Sequence, residues 1–174
     1  HKGHGDIIVC LDESASTEGE NAEWGNALAL AVQDICSHEG RKFALIHFSG
    51  ADQLRTDLFL PGQYTADDLL SAAEHFFDGG TDFEPPIREA LRLINEEAFE
   101  NADILFITDG ESSISDELSE QLQDAIQDAR CAVVGLLLDA DSPGMAFSLK
   151  KFCEKIIRIS EIDKESVEKI LLEC

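Results

Sequence analysis

The sequence is poor in basic residues: 13 lysines and arginines stand against 36 aspartates and glutamates, and the net charge of the 174-residue chain is −23 at pH 7. This balance argues against a nucleic-acid partner, because binding phosphate groups requires a basic surface. Acidity on this scale keeps a protein soluble, and it also favours cations and basic protein surfaces as ligands.

Long apolar runs are also missing. No run approaches the roughly 20 residues that a membrane helix needs, so we expect no contact with a membrane. The chain opens with His1-Lys2-Gly3-His4-Gly5 and shows neither a signal peptide nor an initiator methionine, from which we expect a processed chain or an excised piece of a longer protein. With 44% hydrophobic residues, residues 1–174 suffice for a single domain with a buried core.

The five cysteines form no Cys-x-x-Cys pair. They stand at positions 10, 36, 131, 153 and 174. Such wide spacing argues against a cysteine-based zinc site or redox motif. Cys10 and Cys131 lie in apolar runs, where a free cysteine behaves as a small hydrophobic residue. We therefore expect a reducing, cytoplasmic location.

Apolar runs typical of buried strands alternate with amphipathic stretches typical of helices. The predicted strands are 6–11, 42–49, 102–108, 131–138 and 156–159, with a more polar edge strand at 53–60. The predicted helices are 21–38, 64–77, 85–99, 115–129, 144–153 and 164–172. This alternation predicts an α/β fold: a doubly wound, mostly parallel sheet of about six strands, with helices on both faces and one antiparallel edge strand.

Three loops carry oxygen-rich side chains at the predicted strand ends. They are Asp12-Glu13-Ser14-Ala15-Ser16, Gly79-Gly80-Thr81-Asp82 and Asp109-Gly110-Glu111-Ser112. Ligands of doubly wound sheets bind beyond the carboxyl ends of the strands, where the strand order reverses. Hydroxyl and carboxylate oxygens without cysteine or histidine favour Mg²⁺ or Mn²⁺ over zinc.

Alternative interpretations of these residues stay open at this point. Asp12, Ser14 and Ser16 also suit a turn and a helix cap. Asp82 suits either an outer contact to a metal ligand or the cap of the helix that Pro85 and Pro86 open.

Four further polar residues have less specific patterns. Glu13, Glu111 and Ser112 flank the predicted site, where they either shape the choice of partner or are solvated rim residues. His47 lies between apolar residues of a strand, which is typical of a structural histidine.

The pattern DxSxS after the first strand, the GGTD loop and the later TDG resemble the metal-ion-dependent adhesion site of von Willebrand factor type A domains. The resemblance extends over essentially the whole chain. It implies a site with Mg²⁺ or Mn²⁺ as cofactor, completed by an acidic side chain of a protein partner. The implied metal ligands, direct or through water, are Asp12, Ser14, Ser16, Thr81 and Asp109.

The segments HFFDGGTDFEPP and ADILFITDGE resemble the bacterial ViaA and CoxE-like branch of these domains. That resemblance implies a non-enzymatic adaptor for a MoxR-type AAA+ ATPase in protein or metalloenzyme assembly. It also implies that residues 1–174 are the C-terminal part of a longer protein. Ala15 stands where glycine is usual, and Thr17 where small residues or methionine are frequent. Neither departure removes a ligand oxygen.

Two other functions deserve comparison. Phosphohydrolases of the haloacid dehalogenase type also have an aspartate after their first strand, and extracellular adhesion domains share this architecture. A phosphohydrolase of the haloacid dehalogenase type needs a second aspartate two residues after the nucleophile, but position 14 is serine. An extracellular adhesion domain fits poorly with five cysteines in no recognisable pairing. We therefore predict a binding module without catalytic activity.

Overall fold

A six-stranded sheet forms the centre of the computed structural model, which describes residues 5–97, 99–109, 112–129, 131–138 and 149–158. The strands are β1 (Ile7–Asp12), β2 (Phe43–Phe48), β3 (Leu54–Phe59), β4 (Asp103–Thr108), β5 (Val133–Leu137) and β6 (Lys155–Arg158). Their order across the sheet is β3-β2-β1-β4-β5-β6. Only the β2–β3 pair is antiparallel among these strands, which confirms the predicted sheet and its antiparallel edge strand.

Helices cover both faces of the sheet, as predicted. In the described part of the chain they are α1 (Glu20–Glu39), α2 (Ala66–Glu74), α3 (Glu84–Glu96) and α4 (Asp116–Ala129), with a 3₁₀ turn at Ala15–Thr17. Successive side chains of a strand point to opposite faces. Accordingly, Ile8 and Cys10 of β1 belong to the apolar cluster that includes α3 and α4, whereas Val9 and Leu11 belong to the cluster that includes α1.

The helix ends follow local sequence signals, with small shifts from the predicted bounds. Thr65 and Asp68 form a reciprocal capping box at the start of α2, as expected for a threonine at this position. Gly40 ends α1 in the left-handed conformation, with φ 68°, which glycine adopts at little cost. The helix predicted to reach residue 99 ends at Glu96. The helix predicted at 164–172, and residues 144–148 of the one before it, lie outside the described residues.

The strand order reverses beside β1. The chain runs from β1 to β2 and β3 on one side of the sheet, and then returns to place β4 on the other side of β1. The carboxyl ends of β1 and β4 therefore lie at the switch point, where doubly wound sheets bind ligands. Asp12 ends β1 and Asp109 directly follows β4.

No helix within the described ranges is long and apolar enough to cross a bilayer.

Candidate metal centre

The loop after β1 is held by hydrogen bonds of its own short side chains. The Asp12 carboxylate accepts one hydrogen bond from the Ser14 backbone N–H at 2.9 Å and another from the Thr108 hydroxyl at 2.5 Å. The Thr17 hydroxyl donates to the Ser14 carbonyl at 2.7 Å. Ser14 precedes the 3₁₀ turn, yet its side chain makes no capping hydrogen bond there. The Ser14 hydroxyl is thus left to face the neighbouring polar groups.

Ser14, Ser16 and Asp109 form a continuous polar cluster. The two serine hydroxyls lie 3.0 Å apart, and the Ser16 hydroxyl donates to Asp109 Oδ1 at 2.8 Å. The other oxygen of Asp109 accepts from the Asn21 side chain at 3.4 Å. Ser14 and Asp109 are buried, whereas Ser16 is exposed. The structure therefore brings residues 93 positions apart to one place that opens to solvent at Ser16.

The Gly-rich loop runs alongside the loop that follows β1. The Ala15 N–H donates to the Gly79 carbonyl at 2.9 Å, and Ser14 forms an isolated parallel bridge with Gly79. Thr81 follows two residues later and is half-buried. Its hydroxyl forms no hydrogen bond with any residue that the structure describes. This loop therefore comes close to the hydroxyl cluster through Gly79, with the Thr81 oxygen still available to a ligand.

Asp82 and Ser112 support the start of α3. Asp82 Oδ1 accepts from the Glu84 N–H at 3.0 Å, and the Ser112 hydroxyl accepts from the Phe83 N–H at 3.3 Å. Asp82 precedes the N-cap of α3, which is Phe83, so its contact lies beside the cap and is not the cap itself. The outer role of Asp82 at a metal stays a prediction. Glu111 lies outside the described residues.

Asp12 and Asp109 are both buried, and no described residue offers either of them a positive partner. Burial raises the pKa of Asp12; the hydrogen bonds from Thr108 and Ser14 offset part of this, and the negative charge of Asp109 raises the pKa further. Among the described residues, neither Asp12 nor Asp109 has an ion-pair partner. Buried charges in proteins are normally paired or coordinate a metal. An oxygen-only set of two carboxylates and nearby hydroxyls fits a hard divalent ion such as Mg²⁺ or Mn²⁺.

Comparison with known proteins decides the family. A model of the von Willebrand factor type A domain matches residues 7–111, which is more than half of the chain. The protein belongs to this family. The matched span runs from the start of β1 to the loop after β4, so it contains Asp12, Ser14, Ser16, Thr81 and Asp109.

The relatives of this von Willebrand factor type A (VWA) domain are longer proteins. The uncharacterized protein MJ0077 of Methanocaldococcus jannaschii is 31% identical over 95% of this chain and 40% of its own length. MJ0811 of the same organism is 29% identical, covering 97% of this chain and 38% of its own length. The regulatory protein ViaA of Edwardsiella ictaluri is 29% identical over 73% of this chain and 26% of ViaA. The chain thus spans two fifths or less of these relatives.

Solved structures share the fold. An aerotolerance-related membrane protein from Bacteroides fragilis superposes with a TM-score of 0.67 over 96% of both chains, at 18% identity. Proximal thread matrix protein 1 from the mussel byssus gives a TM-score of 0.61 at 14% identity, over 98% of this chain and 46% of its own. At these identities the likeness concerns the fold alone.

Glu13 of this VWA domain has an environment that the sequence analysis did not predict. Only 3% of Glu13 is exposed, so it is not a solvated rim residue. Glu13 Oε2 lies 2.5 Å from His47 Nδ1, and Glu13 Oε1 lies 2.7 Å from His75 Nδ1. The second ring nitrogen of His47, Nε2, lies 2.7 Å from an oxygen of Asp57. His47 is indeed a buried histidine with both ring nitrogens hydrogen-bonded, but it belongs to a cluster.

Charge balance explains the arrangement around His47. Burial lowers the pKa of His47, but the hydrogen bonds to Asp57 and Glu13 outweigh burial and raise it. Burial likewise raises the pKa of Asp57, and the hydrogen bonds from His47 and Arg55 reverse this and lower it. The signal that the sequence did contain is strand alternation, which places Glu13 on the same face as Leu11, two residues earlier. The structure adds the register, in which Leu11 pairs with His47.

Proposed function

We propose that this VWA domain is a divalent-metal-dependent protein-interaction module without catalytic activity. The proposed ligands of Mg²⁺ or Mn²⁺ are Asp12, Ser14, Ser16, Thr81 and Asp109, some of them acting through water. The observation that carries the proposal is the buried Asp12–Asp109 pair, which lies against serine hydroxyls and has no positive partner among the described residues.

The chain's own residues have distinct tasks in this proposal. Thr108 and the Ser14 N–H fix the Asp12 carboxylate, and Asp109 orients the Ser16 hydroxyl. When bound, Mg²⁺ would offer a coordination position to an acidic side chain of a partner. Solvent exposure at Ser16 gives the partner its approach.

The proposed partner is a MoxR-type AAA+ ATPase, with the protein acting as an adaptor in protein or metalloenzyme assembly. Support comes from the similarity to ViaA, whose name describes a regulatory protein, and from the ViaA- and CoxE-like segments in the sequence. The greater length of the relatives supports a role as one domain, 1–174, of a longer protein. Its place in the C-terminal part of that protein is proposed from the ViaA- and CoxE-like segments alone. The free thiols of Cys10, Cys36, Cys131 and Cys153 favour a cytoplasmic setting.

Neither alternative function gains support. A haloacid dehalogenase-type mechanism needs a general acid two residues after Asp12, and the group there is the Ser14 hydroxyl, which lies against Ser16. Extracellular adhesion is not favoured by buried, unpaired cysteines.

Calorimetric titration of Mg²⁺ and Mn²⁺ tests the proposal. We expect one-site binding to the wild type, loss of binding in Ser16→Ala, and unchanged binding in Ser113→Ala, a matched exposed serine outside the cluster. Assays on an aryl phosphate should show no turnover. Equal affinities of wild type and Ser16→Ala would contradict the site, and turnover that disappears in Asp12→Asn would contradict the non-enzymatic function.

The partner requires a separate experiment. Purified MoxR-type AAA+ ATPase should bind the full-length protein in Mg²⁺, and a chelator or the Ser16→Ala substitution should release it. Binding that neither treatment changes would contradict a metal-bridged contact.

A further inference from the structure

The cluster around Glu13 offers a different set of potential metal ligands from the cluster around Asp109. One carboxylate and two imidazole nitrogens converge: the ligand atoms of Glu13, His47 and His75 all lie within 4.8 Å of one another. The two imidazole rings meet edge to face, with ring centroids 4.8 Å apart. Glu13 and His47 are buried, and His75 is about one-fifth exposed. Three potential ligands therefore meet at the carboxyl ends of β1, β2 and α2.

We propose that Glu13, His47 and His75 form a second metal site, which binds Zn²⁺ or an ion of similar preference through His47 Nδ1, His75 Nδ1 and the Glu13 carboxylate. Two imidazoles and one carboxylate suit zinc, whereas Mg²⁺ prefers oxygen ligands only. This site shares no ligand with the proposed magnesium site, and it does not depend on the proposed function.

Asp57 orients His47 for this role. A carboxylate only accepts hydrogen bonds, so the Nε2 atom of His47 donates to Asp57 at 2.7 Å. Arg55 in turn holds Asp57 with hydrogen bonds of 3.1 and 3.2 Å. Metal-binding histidines usually donate their second N–H to a carboxylate, which leaves the other nitrogen facing the metal. For His47 that nitrogen is Nδ1, the atom that faces Glu13.

Metal binding requires the ligand atoms to move by about 1 Å relative to one another. Two ligands of a tetrahedral zinc ion lie about 3.3–3.5 Å apart, given metal–ligand distances of about 2.0–2.1 Å. In the cluster, the Glu13 oxygens lie 2.5 and 2.7 Å from the two histidine nitrogens, and no two ligand atoms are more than 4.8 Å apart. The short contacts of Glu13 must lengthen by about 0.6–1.0 Å, and the widest separation must shorten by up to about 1.5 Å. Metal binding would replace the hydrogen bonds and displace the protons that they contain.

A cavity of about 230 Å³ gives access from solvent. Glu13 and His75 line this cavity together with the acidic side chains of Glu18, Glu23 and Glu74. Negative charge around a cleft raises the local concentration of cations. Three protein ligands leave the fourth position of a tetrahedral ion open for water or a donor group of another molecule.

Titration with Zn²⁺ and Co²⁺ tests the proposal, at mildly alkaline pH because protons compete with metal for histidine. The reference protein and each variant in this titration carry His1→Gln and His4→Gln, so the N-terminal histidines cannot contribute to Zn²⁺ binding. We expect one-site Zn²⁺ binding, and strong visible absorption from four-coordinate Co²⁺. His75→Gln should bind Zn²⁺ at least about 100-fold more weakly, and Asp57→Asn about 10- to 100-fold more weakly.

Two control variants distinguish this site from nonspecific histidine binding and from the proposed magnesium site. His38→Gln, which changes an exposed histidine on α1, should leave Zn²⁺ affinity unchanged. Ser16→Ala should retain Zn²⁺ binding even where it abolishes Mg²⁺ binding, so the two proposals fail independently. Thermal unfolding without metal checks that His75→Gln, whose side chain is partly exposed, still folds. Wild-type Zn²⁺ affinity in folded His75→Gln, or a Co²⁺ spectrum of purely octahedral type, would overturn the proposal.

Discussion

Close packing around single residues sets the position of the Gly-rich loop. A Cβ atom built on Gly79 would lie 1.9 Å from Oε1 of Gln53, and this same oxygen accepts the Gly50 N–H at 2.9 Å. Gly79 also accepts from Ala15, whose loop carries the two serines of the site. The need for glycine at position 79 is therefore one of close approach between side chain and backbone, and it bears directly on the candidate metal centre.

We predict that Gly79→Ala destabilises the domain by about 1–2 kcal/mol, because Gln53 must move and its hydrogen bond to Gly50 is lost. Urea denaturation measures the change. In a Gln53→Ala background the same substitution should cost clearly less, since the clash is already removed. Gly80→Ala is the matched control: a Cβ there would have its nearest neighbour at 4.0 Å. If Gly79→Ala and Gly80→Ala lowered the free energy of unfolding equally, the clash with Gln53 would not be the reason that position 79 needs glycine.

At the scale of secondary-structure elements, a polar contact joins the edge strand to the helix beneath it. Thr56 of β3 donates to a carboxylate oxygen of Glu89 on α3. Arg92, one turn further along α3, donates to the same carboxylate at 2.5 and 3.2 Å. β3 lies at the edge of the sheet, with β2 as its one strand neighbour among the described strands, so contacts with α3 matter for its attachment.

The pKa of Glu89 predicts how the attachment of β3 to α3 depends on pH. Burial raises the pKa of Glu89, but the hydrogen bonds from Arg92 and Thr56 outweigh burial and lower the pKa below its ordinary value of 4.5. A lowered carboxyl pKa contributes stability above the unfolded-state value, and this contribution is lost as the pH falls through the folded-state value. Glu89→Gln should therefore cost about 1 kcal/mol at neutral pH, and progressively less below pH 4.5.

Chemical denaturation of both proteins across the acid range gives the two stability curves. Glu120→Gln, an exposed glutamate of α4, should follow the wild-type curve at every pH. Parallel curves for wild type and Glu89→Gln would show that Glu89 has the same pKa in the folded and unfolded chain.

The elements were more predictable from the sequence than the contacts between them. Continuous apolar runs such as Ile7–Asp12 identify buried strands, and the more polar run at 53–60 predicted the edge strand correctly. The place of the site follows from a general rule: ligands of doubly wound sheets bind at the carboxyl ends of the strands, where the strand order reverses. The loops at those ends were therefore selected in advance, although the strand order itself was not predicted. Periodicity does not reveal which side chains meet across elements. Glu13 and His75 are 62 residues apart, and their contact requires α2 to end beside β1.

Position 35 illustrates the same limit within a single helix. In the helix predicted at 21–38, a helical period places Trp24, Leu28, Val32 and Ile35 on one face, which is the face expected to pack. Leu28 and Val32 are buried, but Cys36 rather than Ile35 joins the core cluster at the end of α1. A period of 3.6 residues defines a stripe wide enough for either position, so the period alone does not decide between them.

For the whole molecule, the net charge of −23 opposes the compact state through self-repulsion. The buried pair of Asp12 and Asp109 adds to this cost locally, because two carboxylates share one site without a positive partner among the described residues. Screening by salt weakens the overall self-repulsion of the chain. A specifically bound cation would weaken that repulsion and also the local repulsion between Asp12 and Asp109. The two effects can be separated, since only the second depends on the residues of the candidate metal centre.

We therefore predict that Mg²⁺ stabilises the domain beyond its effect on ionic strength. A ligand that binds only the folded state at 100 times its Kd adds about 2.7 kcal/mol to the free energy of unfolding. Thermal unfolding in MgCl₂, compared with NaCl of equal ionic strength, should show a higher midpoint for the wild type and for Ser113→Ala. In Ser16→Ala the two salts should give the same midpoint, because screening remains and the specific contribution is lost. An equal response of the wild type to both salts would mean that its acidity acts only through screening.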